Sequence, residues 1–174
     1  MASDDLSSLQ TISFNRRHLS LLLGLTGMGA GRRAWAQGAA AEHNALPVAV
    51  SLREELARAL ARKSPLVVMA SLEGCPHCRV ARQSHLVPMW REGLPIVQVD
   101  FRSDRKLVDF QGQAKTHDDL IRQWRVTIAP TLLFFGSGGR EVAERMEGSY
   151  LPDFYRSYLE QRLEHARALR SEEH

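Results

Sequence analysis

The sequence predicts an α/β fold in which a central mixed sheet of four to five strands is flanked by helices. Three observations carry this. Short, mostly apolar runs at 66–72, 94–101 and 131–135 have the length and the bounding prolines and glycines of strands, and the continuous run at 66–72 suits one covered on both faces. Helix-compatible stretches alternate with these runs, giving the order helix, strand, helix, strand, helix, strand, strand, helix. A helical stretch separates the first two strands, whereas a tight glycine-rich connection joins the last two. A parallel βαβ unit is therefore followed by an antiparallel hairpin.

Taken in order, residues 37–47 are alanine-rich and aperiodic and read as a linker, with one short strand near Val48. Ser51-Leu52-Arg53-Glu54 has the form of a capping box, and Leu52, Leu56, Ala59 and Leu60 recur at helical spacing. Pro65 closes that helix, and the run to Leu72 suits a central strand. Pro76 fits the first turn of the next helix, where its missing N–H costs nothing. Pro88 is expected to kink or end this helix, and Gly93 marks a stop. After the strand at 94–101, residues 102–116 are polar and aperiodic and read as a loop or insertion. Thr116 and Asp119 resemble a second capping box, for a short helix through Trp124. Gly136-Ser137-Gly138-Gly139 gives the tight connection to a hairpin partner at 140–146, and Gly148 breaks it. The last helix puts Leu151, Phe154, Tyr155, Tyr158, Leu159 and Leu163 on one face and is expected to end near Ala168, leaving 169–174 as a frayed end. Trp90, Trp124, Phe134 and Phe135 read as core.

Length, 174 residues, and composition, 44% hydrophobic and 25% charged, fit one globular domain, assigned to 48–168. The formal charge of +3 lies mostly at the N-terminus: residues 1–36 hold four arginines against two aspartates, leaving 19 basic against 18 acidic residues beyond. No basic stripe interleaved with aromatics appears, so no nucleic-acid partner is expected. Residues 1–36 themselves read as an export signal. Arg16 and Arg17 precede a modestly apolar run at 19–30, and Ala34 and Ala36 suit cleavage before Gln37. The paired arginine and glycine-rich run resemble the twin-arginine type. The run is shorter than the ~20 apolar residues of a bilayer-spanning helix. The expected location is the periplasm, with no stable membrane insertion after cleavage; an uncleaved anchor or an unstructured tail is the alternative reading. Export would place the cysteines where a disulfide can persist.

The chemistry centres on Cys75-Pro76-His77-Cys78, which holds both cysteines of the chain. Strand, Cys-x-x-Cys, helix is the layout of a thiol–disulfide site. Cys75 falls at a helix mouth, where unpaired N–H groups favour a thiolate, and Cys78 lies one turn inside. Cys75 is the expected attacking sulfur and Cys78 the resolving one, with His77 expected to stabilise the Cys75 thiolate by charge or by a hydrogen bond. A disulfide staple is the bland reading, but so short a loop constrains little of the unfolded chain. The alternative from another class is metal binding or delivery through Cys75, Cys78 and a histidine, His77 or His85. A closed zinc site wants four ligands and no second cysteine pair exists, so no metal and no cofactor are assigned. His85 reads as a surface or packing residue, and His43, His117, His165 and His174 as solvated.

Over 48–168 the chain resembles the thioredoxin-fold family. The resemblance rests on Cys75-Pro76-His77-Cys78 after a strand, Ile128-Ala129-Pro130-Thr131 before the next strand, and Gly148 ahead of the final helix. It implies a thioredoxin fold with Pro130 cis beside the cysteine pair, and an Ala129 backbone that pairs with an extended substrate peptide. The implied partners are protein thiols or disulfides. Proline and histidine between the cysteines match the DsbA-type periplasmic oxidants, which would make this protein an oxidant or isomerase. The short stretch at 102–116 and Ala129 do not follow that subgroup; the small size fits a reductase fed by a membrane redox partner. Gly74 stands where cytoplasmic members have tryptophan, and Met69 where many members bury an acid. With Met69 there, Glu73 or a water is expected to deprotonate Cys78. The chain is similar to the thioredoxin-like proteins encoded with sulfur-oxidation systems, and reads as a small exported member of a less characterised branch.

Overall fold

The computed structural model describes residues 45–148 and 152–172. The expected export signal, most of the linker, His43, Leu151 and His174 lie outside the described residues.

Helix α1 (Leu52–Ala61) begins at Ser51, whose hydroxyl accepts the Glu54 backbone N–H at 3.3 Å. This is the serine half of the expected box; the Glu54 carboxylate turns to Arg58 at 3.7 Å. Six strands follow: β1 (Leu66–Ser71), β2 (Ile96–Asp100), β3 (Lys106–Val108), β4 (Ala114–Thr116), β5 (Thr131–Phe135) and β6 (Met146–Glu147). The main sheet has four strands in the order β2-β1-β5-β6. β1 pairs parallel with β2 and antiparallel with β5, and β5 pairs antiparallel with β6. Val48, expected in a short strand, makes a single parallel bridge to Gln98.

All six β1 residues are buried because both faces of the sheet are covered. Val67, Met69, Leu132 and Phe134 face a core completed by Cys78, Leu86, Tyr155, Leu159 and Leu163. Val68, Ala70, Val97, Leu133 and Phe135 face the other, completed by Leu52, Leu56, Leu120 and Ile121. The alternation along each strand distributes one apolar run between two cores. Each fully buried leucine contributes roughly 1.5–3 kcal/mol of transfer free energy.

The helical stretch after Cys75 runs as α2 (Pro76–Val80), a π-helical segment Ala81–Leu86, and α3 (Val87–Arg91). Pro88 does not end it. The chain widens to π pitch just ahead of the proline, with the Val87 N–H bonding the Arg82 carbonyl, and resumes α pitch with Pro88 in a first turn.

Three other expectations are corrected. Residues 102–116 are not a bare loop but carry the β3–β4 hairpin, a separate two-stranded sheet. Its strands are three residues long with one buried apolar side chain, Leu107, so no periodicity announces them. The turn is held by Asp109, whose Oδ1 accepts the backbone N–H of Gln111 at 2.9 Å and of Gln113 at 2.7 Å. His117 is not solvated. It opens α4 (His117–Gln123), capped reciprocally by Thr116 and Asp119, and its ring is fully buried. In α5 (Tyr155–Glu172) the buried stripe is Tyr155, Leu159, Leu163 and Ala166. Tyr158 (38% exposed) lies off it, because it precedes a stripe residue by one position, about 100° around the helix, and Phe154 (53% exposed) ends the 3₁₀ turn Pro152–Phe154 ahead of α5. The helical backbone continues past Ala168 to Glu172.

Among the described residues, no helix is long and apolar enough to cross a membrane.

Candidate active site at the β1–α2 junction

β1 ends at Ser71, and the chain turns through Gly74, at φ +74°, to deliver Cys75 as the N-cap of α2. A left-handed turn of this kind favours glycine, which accounts for Gly74 where a tryptophan might have been expected. Pro76 takes the first helical position. Cys75 is half-buried and Cys78 fully buried; both are free thiols. The Cys78 backbone N–H donates to Cys75 Sγ at 3.1 Å. On its other side Cys75 Sγ lies 3.9 Å from the Ala129 carbonyl oxygen, within reach of a weak S–H donation.

The Ala129–Pro130 bond is cis. Pro130 is buried, and its carbonyl accepts the Gly148 N–H at 2.8 Å, which ties the proline loop to the end of β6. The Thr131 hydroxyl donates to the Ile128 carbonyl at 2.7 Å. The structure thus brings Cys75, Pro76, Cys78, Ala129 and Pro130 to one place.

It does not bring His77 onto the sulfur. His77 is exposed, and the partners of Cys75 Sγ are Cys78 and Ala129 rather than the imidazole. His85 stacks on Tyr155 with ring centroids 4.3 Å apart, a packing role; burial and the nearby Arg156 guanidinium hold its imidazole below the usual range. Among the described residues no three His, Cys, Asp or Glu side chains gather where they could hold a metal ion.

Burial pushes the Cys78 thiol up to about 11, and its bond with Cys75 adds to the rise. The polar groups of the Leu72 backbone and the Ser71 side chain work against that rise. Met69 is fully buried and apolar on the same face, and Glu73 is exposed at the rim.

Sequence reasoning missed the polar chain behind the cysteines. Arg82 donates to Ser71 Oγ at 3.3 Å and to Gln98 Oε1 at 2.8 Å, and Gln98 donates to Asp100 Oδ1 at 2.7 Å. The Asp100 backbone N–H donates in turn to His117 Nδ1 at 3.0 Å, and His117 Nε2 is 3.0 Å from the Ala49 carbonyl oxygen. A donor at Nδ1 and an acceptor at Nε2 fix the neutral tautomer with the proton on Nε2. Burial lowers the pKa of this imidazole. Ser71, Arg82, Gln98 and Asp100 of this chain line a groove of about 660 Å³ that opens beside Cys75. Its signals in the sequence were two polar residues, Gln98 and Asp100, inside an apolar strand, and an arginine one helical turn past Cys78.

Comparison with known proteins gives the same class. Residues 52–163 match the thioredoxin-like domain family, and the chain belongs to it. No relative is found among curated proteins. Solved structures similar to this chain include thioredoxin O2 from Arabidopsis thaliana, 20% identical over 64% of this chain and 91% of that one, with a TM-score of 0.44. Also similar are an oxidoreductase named DsbH (21%, 70% and 88%, TM-score 0.47) and a thioredoxin from Thermus thermophilus (24%, 66% and 85%, TM-score 0.46). The protein has a thioredoxin fold whose mixed four-stranded sheet carries two neighbouring cysteines at one end.

Proposed function

We propose that this protein is an exported, periplasmic thiol–disulfide oxidoreductase acting on protein thiols or disulfides. The observation that carries the reading is the asymmetric environment of the two sulfurs. Cys75 is reachable and accepts a backbone N–H, while Cys78 is enclosed one helical turn behind it. Only a thiolate attacks, and a sulfur that accepts a backbone N–H holds negative charge more readily.

As a reductant, the Cys75 thiolate attacks one sulfur of a substrate disulfide and displaces the other as a thiolate. Cys78 then gives up its proton and attacks Cys75 Sγ. The Cys75–Cys78 disulfide forms, the mixed disulfide breaks, and the second substrate thiolate leaves with two electrons and takes up a proton. As an oxidant the same steps run backwards. The Ala129 backbone beside Cys75 fits pairing with an extended substrate peptide, and exposed Ile128 offers that peptide an apolar contact.

Insulin reduction and thiol-oxidation assays test the reading. Turnover in either supports it; stoichiometric metal that survives dialysis, with turnover in neither, replaces it with a metal-binding role. A redox titration then assigns direction: a potential near ~−120 mV marks an oxidant, and one near ~−270 mV a reductant fed by a membrane redox partner. Cell fractionation tests the periplasmic location.

A further inference from the structure

The groove of about 660 Å³ beside Cys75 has the volume of a small-ligand site, and four arginines line it. Arg79 and Arg82 come from the helical stretch after Cys75, and Arg102 and Arg105 from the stretch after β2. Their charges are left largely available. Arg82 donates to Ser71 Oγ and Gln98 Oε1, both neutral, and so keeps its charge. Arg79 and Arg102 are exposed, and among the described residues neither guanidinium has an ion-pair partner. Arg105 lies 3.9 Å from Asp100 Oδ2, a loose pair. Three carboxylates share the groove: Asp100, whose Oδ1 is taken by Gln98, and the exposed Glu73 and Asp104. Four cations against three anions leave an excess of positive charge beside the attacking sulfur.

One of these arginines is held in place at a cost. Arg102 adopts φ +54°, a left-handed conformation that a long side chain takes only where its surroundings impose it. Asp118 Oδ1 imposes it by accepting the Arg102 backbone N–H at 2.9 Å, and Arg122, one turn further along α4, pairs with the same carboxylate. A guanidinium offers a carboxylate two parallel N–H donors, and a concave site with excess positive charge concentrates anions. We infer that the groove selects disulfides carrying carboxylates beside the scissile S–S bond, with Arg79 and Arg102 as specificity-determining residues. A small carboxylate-bearing disulfide and an acidic segment of a protein disulfide present the same chemistry. In either, the Cys75 thiolate bonds to the near sulfur, the S–S bond breaks, and the first thiolate leaves. Cys78 then displaces the second. The dithiol gives up two electrons and, through water, two protons, and the substrate departs as two thiols.

This selectivity rests on the proposed dithiol exchange, and one experiment separates the two. The reduced full-length protein is mixed with dithiodipropionate, hydroxyethyl disulfide or cystamine, aliphatic disulfides that are anionic, neutral and cationic. Acid quenching and titration of the remaining protein thiols give the rates. The anion-to-neutral ratio is divided by the same ratio for free mercaptoethanol, which removes the intrinsic reactivity of each reagent. Taking the ratio within one protein also cancels any change in the Cys75 thiolate fraction. The expected ratio is about tenfold above the free thiol, with cystamine disfavoured and the preference lost in ~1 M salt. Arg79→Gln and Arg102→Gln are each expected to lower it about threefold, and the double variant to return it to the free-thiol value. Disulfide-linked dimers of a short peptide with glutamate or lysine beside its cysteine form the second arm. Preference for the anion in the small series alone assigns a small anionic disulfide; preference for the glutamate peptide assigns an acidic protein segment. A parent ratio equal to the free thiol's in both arms, or one unchanged in the double variant, overturns the inference while leaving dithiol exchange standing. No reaction with any of these disulfides overturns dithiol exchange itself.

Discussion

The backbone N–H of Cys78 donates to Cys75 Sγ at 3.1 Å, while the Cys78 thiol is itself fully buried. The residue placed to resolve a mixed disulfide thus also holds the sulfur placed to form one. Because that support comes from the main chain, it survives loss of the Cys78 side chain. Cys78→Ser is expected to keep the attacking step and to accumulate mixed disulfides in periplasmic extract, seen as high-mass bands that collapse on reduction. Cys75→Ser is expected to lose all exchange. An extract in which Cys78→Ser traps nothing would remove protein substrates from the proposal.

His77 is exposed and makes no bond to the sulfur, so any influence on the redox potential passes through its charge. An exposed charge interaction is small and is screened by salt. His77→Pro is therefore expected to make the pair more reducing by no more than roughly 20 mV, which is a few tenths to one kcal/mol spread over two electrons. The difference from the parent should shrink in ~1 M salt. A larger shift that ignores salt would require contact between the imidazole and the sulfur.

His117 links Ala49 to Asp100 in its neutral form, and burial holds its pKa below that of the unfolded chain. In the window between the lowered folded value and the ordinary ~6.5, the unfolded state binds a proton that the folded state does not. Stability is thus fully present above ~6.5 and is lost as pH falls through that window. His85 is shifted the same way and adds to the slope. Denaturant midpoints at mildly alkaline and mildly acidic pH are expected to move closer together in His117→Phe, keeping the slope that His85 contributes. The variant loses two hydrogen bonds and is expected to be about 2–3 kcal/mol less stable at the alkaline end.

How much of this was legible in the sequence follows from the length of each signal. β1 and β5 are almost wholly apolar because both faces are covered, and β2 sets Ile96, Val97 and Val99 around Gln98, so their composition announces them. Cys75, Cys78 and Pro130 stood out because their residue types are chemically singular. The β3–β4 hairpin did not, since its only deep anchors are Leu107 and the turn residue Asp109. Ser71 and Arg82 come together from a strand end and a π-helical segment, a proximity that no local spacing encodes. His117 resembled a surface residue because its neighbours Asp118 and Asp119 are polar. Its burial comes from a contact with Ala49, 68 positions away.

The hairpin tip makes a packing relationship that can be tested directly. Phe110 lies 4.6 Å from Phe135 and 6.3 Å from Trp124, centroid to centroid, and closes over the β5–β6 connection. A Cβ added at Gly139 would meet the Phe110 ring at 2.5 Å, and Gly139 itself sits at φ +73°. Gly139→Ala therefore carries two costs, a left-handed backbone of roughly 1–2 kcal/mol and an overpacking clash of roughly 1–3 kcal/mol. Denaturant unfolding should show a loss of about 2–5 kcal/mol. Phe110→Ala alone costs packing but removes the clash partner, so the double variant should be more stable than the sum of the two single losses, by an amount near the overpacking cost. Additive losses would mean that the ring yields without resistance, and that the backbone conformation of Gly139 is the whole effect.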